Sequence, residues 1–216
     1  MNWLPVYNAI LISIFIVSLF LWKLVGFFWG SLLLLLSLVY IFQENVITFK
    51  HYLDAFYMFL LSEVLLFFSL LFGCIYFSED FKLCLSHYLE IPLLGTALLL
   101  TSSLTASVYH SSLISLNIYK KIILGLTLVL GGLFMVLQGF EFNECIWNFS
   151  SSSYYGCCFS VICLHLSHVM IGLILLCFLF LQIKGSLSNY YGDLIVIYWH
   201  FVDYIWLLVY LVAYII

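Results

Sequence analysis

Apolar runs of about twenty residues take up most of this 216-residue chain; 66% of its residues are apolar and 7% are charged. A soluble globule must carry enough polar surface to be wetted, and this composition does not supply it. A lipid bilayer suits it. The hydrocarbon core is about 30 Å thick and needs about 20 apolar residues per helix. Applied along the chain, that ruler marks seven runs, at residues 6–22, 24–42, 55–77, 91–109, 122–140, 154–183 and 194–216. The expected fold class is therefore an all-α transmembrane bundle of seven helices.

Only Lys23 separates the first two runs, so a tight hairpin is expected near residues 23–26. Pro92 opens the fourth run, where proline suits a first helical turn. The sixth is long enough to tilt or protrude. The connections at 43–54, 78–90, 111–121, 141–153 and 184–193 hold nearly all the charge and leave no room for an extramembrane domain. The polar segment 43–54 suggests a division into a two-helix hairpin over 1–50 and a five-helix bundle over 51–216. No internal repeat is visible. No basic region precedes the first apolar run and no small-residue cleavage site stands out, so no removable leader is expected.

The net charge is −4, with six lysines and no arginine, which excludes a basic nucleic-acid footprint. Lys50, Lys120, Lys121 and Lys184 fall on one side of the expected topology, Lys23 and Lys82 on the other. Lysine favours the matrix or cytoplasmic side, which puts the N-terminus there and the C-terminus opposite. The seven cysteines form no C-x-x-C pair and show no metal spacing. In apolar helices cysteine usually acts as a small hydrophobe. Cys84, Cys145, Cys157 and Cys158 fall near the outer side, which leaves a disulfide among them open; the neighbours Cys157 and Cys158 are not expected to bridge each other.

The informative residues are the polar ones inside apolar runs. A charged carboxylate in hydrocarbon costs at least roughly 2.5–3.5 kcal/mol, so it must face protein, water or a partner. Asp203 and His200 lie three residues apart in the last run and share a helix face. His165 and His168 do the same in the sixth. A metal site combining these four is chemically allowed, although two histidines three apart on one helix cannot clamp a haem from both sides. The expected arrangement is a polar cluster that fixes how the sixth and seventh helices pack. Glu63, inside the third run, reads equally as a proton-relay carboxylate or lipid head-group contact and as a carboxyl hydrogen-bonded to a neighbouring helix. Gln138, Glu141 and Glu144 end the fifth run, where a solvated helix end is expected. Gly125, Gly131, Gly132 and Gly172 would let helices approach closely, and Trp22, Trp29, Trp147, Tyr190 and Tyr191 suit the membrane interface. No nucleotide loop, copper thiolate pair or haem ligand pair is present.

Tyr198-Trp199-His200-Phe201-Val202-Asp203, followed by Trp206 and Tyr210, closely resembles the last helix of subunit III of cytochrome c oxidase. Further blocks match in order: Ser62-Glu63-Val64; Pro92-Leu93-Leu94 with Thr96; His110 onward; Gln138, Glu141 and Glu144; and Gly156, His165, His168, Val169 and Gly172. The similarity covers residues 55–216. Departures are Gly95 for the family's usual Asn, Tyr76 for His, Asp193 for Glu, and Ser188-Asn189 for a His pair. The resemblance implies two and five helices around a V-shaped, phospholipid-holding cleft, and an N-terminus in the matrix of the mitochondrion. It implies no redox centre in this chain, haem and copper being held by partner subunits. The partners implied are subunit I as main contact, subunit II and accessory subunits. The role implied is assembly, lipid binding and support of proton uptake for oxygen reduction, with Glu63 as a carbodiimide-reactive acid. Subunit III of a quinol oxidase, a bacterial plasma membrane, and a proton-coupled transporter relaying through Glu63, His200 and Asp203 are the alternatives.

Overall fold

The computed structural model describes residues 4–21, 24–48, 53–78, 86–87, 89–111, 117–145, 147, 149–182 and 189–215. These form seven helices: α1 (Leu4–Phe20), α2 (Leu24–Thr48), α3 (Leu53–Phe77), α4 (Ile91–Ser111), α5 (Asn117–Glu144), α6 (Ser153–Gln182) and α7 (Asn189–Tyr210). A π-helical turn at Leu211–Ile215 finishes the last. No strand occurs among the described residues.

Several helices outrun the apolar ruler. α2 continues past Gln43 and Glu44, α5 begins at Asn117 and ends at Glu144, and α7 begins at Asn189. The ruler measures what hydrocarbon tolerates, whereas a helix continues into water wherever residues such as Lys120, Lys121 and Glu144 favour it. The connections at 43–54, 111–121 and 141–153 are correspondingly shorter than expected. α2 is already helical at Leu24, so Gly26 lies in the helix and not in the turn. Residues 22–23 lie outside the described residues, as do Lys23, Lys50, Lys82, Lys184, Cys84 and Ser188, on which the orientation, one cysteine and one family departure rest.

The chain divides into two compact units, Met1–Ala55 and Phe56–Ile216. In the first, α1 packs on α2 through glycine: a Cβ on Gly26 would lie 2.9 Å from that of Ser18, and one on Gly30 would lie 3.3 Å from the Phe15 ring. The 17 residues of α1 reach about 25 Å, short of a roughly 30 Å hydrocarbon core.

In the second unit all five helices are long and apolar enough to cross a membrane. Neighbours run in opposite directions. The end of α4 meets the start of α7 at His110 and Asp193, and Lys121 at the start of α5 sits over the Phe180 ring near the end of α6. At the other end, Trp147 stacks on Tyr155 near the start of α6, with ring centroids 4.8 Å apart. The unit is apolar on the outside: Leu65, Phe72, Leu104 and Ile174 are each more than 60% exposed, whereas Ser102, Gln138, His165 and Asp203 are buried. A water-soluble protein reverses that order, and a membrane protein requires it.

Trp199 of α7 sits at the centre. A Cβ on Gly131 of α5 would lie 2.8 Å from its indole, and so would a Cβ on Gly172 of α6. Two of the four glycines expected to permit close approach therefore admit one large ring. Gly125 makes an ordinary contact with Phe180, and Gly132 faces open space. The indole N–H donates to Ser102 Oγ on α4 at 3.2 Å, so this one side chain ties α7 to three helices. Two turns on, Trp206 packs edge-on against Phe134 at 4.8 Å and lies 4.9 Å from the His165 ring.

Candidate functional site

Glu63 on α3 meets His168 on α6: Oε2 lies 2.9 Å from Nε2, with both side chains mostly buried. His168 Nδ1 lies 2.9 Å from the Leu164 carbonyl, and the Phe67 ring stands edge-on to the imidazole at 5.2 Å. A carbonyl only accepts, so Nδ1 carries a hydrogen. The contact between Nε2 and Oε2 then holds a single proton, either on the imidazole as an imidazolium–carboxylate pair or on the carboxyl as a neutral pair. Both forms have zero net charge, which limits the cost of placing a carboxyl at this depth. The pair opens on a cavity of about 720 Å³ whose other walls are mainly apolar, among them Phe56, Phe59, Ile171 and Leu175, with Tyr191 and Tyr198. Of the two readings of Glu63, its geometry contains the interhelical hydrogen bond, and the single shared proton leaves a proton-handling role chemically available.

His165, His200 and Asp203 do not join this pair. His165 Nε2 donates to the Val202 carbonyl at 3.1 Å, tying α6 to α7. His200 Nε2 lies 3.3 Å from Ser107 Oγ on α4. Asp203 is 3% exposed, and neither carboxyl oxygen has a hydrogen-bond partner among the described residues. The expected single cluster of His165, His168, His200 and Asp203 is therefore divided, and only His165 serves the α6–α7 packing assigned to all four. Among the described residues no three histidine, cysteine or acidic side chains converge in a metal-like group, and the four-residue metal site is not assembled.

Glu141 is not a solvated helix end. It is 5% exposed, accepts a hydrogen bond from Gln138 Nε2, and accepts another from Ser86 Oγ at 2.8 Å. Ser86, in the connection before α4, closes over the end of α5. A buried carboxylate needs donors of this kind. Glu144 is exposed, as expected. At the opposite end His110 Nε2 and Asp193 Oδ1 lie 3.3 Å apart, both side chains about half exposed.

Sequence reasoning missed Ser86, Ser102 and Ser107, each of which meets one of the polar or aromatic side chains above. Nothing in a serine-rich chain sets these three apart. It also missed Cys74, whose Sγ lies 3.7 Å from that of Cys158.

A helical, multi-pass membrane protein with apolar outer faces and a few hydrogen-bonded polar side chains turned inward is the class these features define. The family model for cytochrome c oxidase subunit III matches residues 6–216, and the chain belongs to that family. It is 35% identical over 131 residues to cytochrome c oxidase subunit 3 of Struthio camelus, 36% over 130 residues to that of Myxine glutinosa and 37% over 131 residues to that of Drosophila melanogaster. Each match covers 58% of this chain and 50% of the relative. The chain thus spans about half the length of the curated relatives it matches.

Proposed function

We propose that this chain is a non-redox core subunit of cytochrome c oxidase in the mitochondrial inner membrane, with its N-terminus in the matrix and its C-terminus in the intermembrane space. It packs on subunit I, with subunit II and accessory subunits nearby, and those large partners carry the haem and copper. Its own part is to support assembly, hold phospholipid and assist proton uptake toward the oxygen chemistry in subunit I. The observation that carries this reading is the Glu63–His168 pair: one proton, held neutral overall, at the edge of an apolar cavity. Such a pair can hold a proton where an isolated carboxylate would be costly, and the apolar walls suit acyl chains. Both residues lie in blocks that resemble the family's, Ser62-Glu63-Val64 and His165 through Val169.

Purification of the tagged chain from its own membrane tests the reading. Polypeptides bearing haem and copper are expected to co-purify with it. Recovery of the chain alone with a stoichiometric haem spectrum, or with partners lacking haem and copper, would overturn it. Haem-bearing partners without a copper-bearing subunit that docks cytochrome c would place it in a quinol oxidase.

A further inference from the structure

α3 and α6 touch at two levels. Glu63 meets His168 at one, and Cys74 meets Cys158 at the other, Sγ to Sγ at 3.7 Å. Eleven residues separate the two contacts on α3 and ten on α6, or about 16 Å and about 15 Å at 1.5 Å per residue. The contacts are therefore two rungs between antiparallel helices, spaced alike on the two to within one residue. Both thiols are free and almost completely buried, at 1% and 0% exposure. Gly73 leaves room for a neighbouring thiol at this level: a Cβ there would lie 3.3 Å from Cys157 Sγ.

We propose that Cys74 and Cys158 form a redox-modification site, a dithiol that closes to a disulfide between α3 and α6 when a lipid-soluble hydroperoxide reaches it. The sulfur of one thiol attacks the peroxide's terminal oxygen. The O–O bond breaks, the alcohol leaves with a proton, and a sulfenic acid remains. The second sulfur attacks the first, the S–O bond breaks, and water leaves with the second thiol's proton. Two thiols lose two electrons, and one hydroperoxide becomes one alcohol and one water. A disulfide needs an S–S distance near 2.05 Å, so the sulfurs must close by about 1.7 Å. Both sulfurs are enclosed by protein and do not face the lipid, so an oxidant reaches them only where α3 and α6 part, and the oxidant present there is one carried in hydrocarbon. Cys157, one residue along, faces Gly73 and is not the partner. The closed bond fixes how far α3 can slide along α6, and so holds the Glu63 rung in line.

The test uses the full chain in its native membrane, with cumene hydroperoxide as the probe. After treatment, free thiols are blocked with N-ethylmaleimide under denaturing conditions and the peptides are analysed by mass spectrometry with and without dithiothreitol. The expected result is a Cys74–Cys158 linked peptide, loss of the alkylated form of both residues, and recovery of both after reduction. Two results would overturn the proposal: full alkylation of Cys74 and Cys158 after treatment, or a linked peptide that joins Cys158 to a different cysteine. Cys74→Ser provides the control on selectivity: its linked peptide should vanish, and a Cys157–Cys158 or Cys158–Cys163 bond in its place would also count against the assigned pair.

Discussion

The Trp199 indole lies 2.8 Å from the point where a Cβ on Gly172 would sit, and Gly131 meets the same ring from α5. The ring cannot retreat freely, because its N–H is held by Ser102 on α4. Gly172→Ala should therefore force a shift in a filled core, at a cost of about 1–3 kcal/mol. Gly132→Ala, one residue from Gly131 but facing open space, should be close to neutral. Thermal unfolding of the detergent-solubilised chains, followed by helical circular dichroism, compares the two. Equal midpoints for both variants would refute the wedge.

Glu63→Gln keeps the shape of the α3–α6 contact, because a carboxamide can still bond a neutral His168. It removes the group that can exchange a proton. We expect chain stability to change by less than about 1 kcal/mol; under the proposed function, labelling by an apolar carbodiimide should fall to background, and electron transfer in the oxidase should begin normally while proton uptake or turnover lifetime changes. His168→Leu, which strips the carboxyl of its partner, should instead destabilise by about 1–3 kcal/mol. Carbodiimide labelling that persists undiminished in Glu63→Gln would show that another acid reacts.

Both members of that pair stand out in the sequence, yet their pairing does not. Residues three apart on a helix differ in direction by about 60°, enough for one to face a different neighbour from the other. His165 thus reaches α7 while His168 reaches α3, and His200 reaches α4 while Asp203 bonds to none of the described residues. Spacing reports that two residues share a side of their own helix. It does not report which helix lies opposite, and Glu63 and His168 are separated by 105 positions along the chain. The apolar runs were legible because hydrocarbon imposes a length and a composition on each. The burial of Glu141 was not, because it depends on where Ser86, 55 residues earlier, folds back.

Asp203 shares a helix face with His200 and is one possible partner for it, so the sequence alone predicts that Asp203→Leu disturbs packing or assembly. The geometry changes that expectation. His200 is met by Ser107, and Asp203 has no hydrogen bond to lose among the described residues. Replacing a buried acid without donors by an apolar side chain relieves its desolvation. The isolated chain carrying Asp203→Leu should unfold at the wild-type temperature or above it. A lower midpoint in circular dichroism would mean that Asp203 has an internal partner after all.

Gln138 and Ser86 are the donors that make a buried carboxylate at Glu141 tolerable. Gln138→Leu removes the nearer donor while keeping the side chain's bulk, and leaves the carboxylate with Ser86. Hydrogen bonds to charged groups contribute about 1.5–3 kcal/mol, and an acceptor left short in a buried site loses at least that much. Glu144→Gln changes an exposed acid at the same helix end and should stay within about 0.5 kcal/mol of wild type. The two variants separate burial from simple proximity to the helix end. If Glu141 were solvated, both would fall together within the smaller range; if it is enclosed as described, only Gln138→Leu unfolds early in a side-by-side thermal melt at neutral pH.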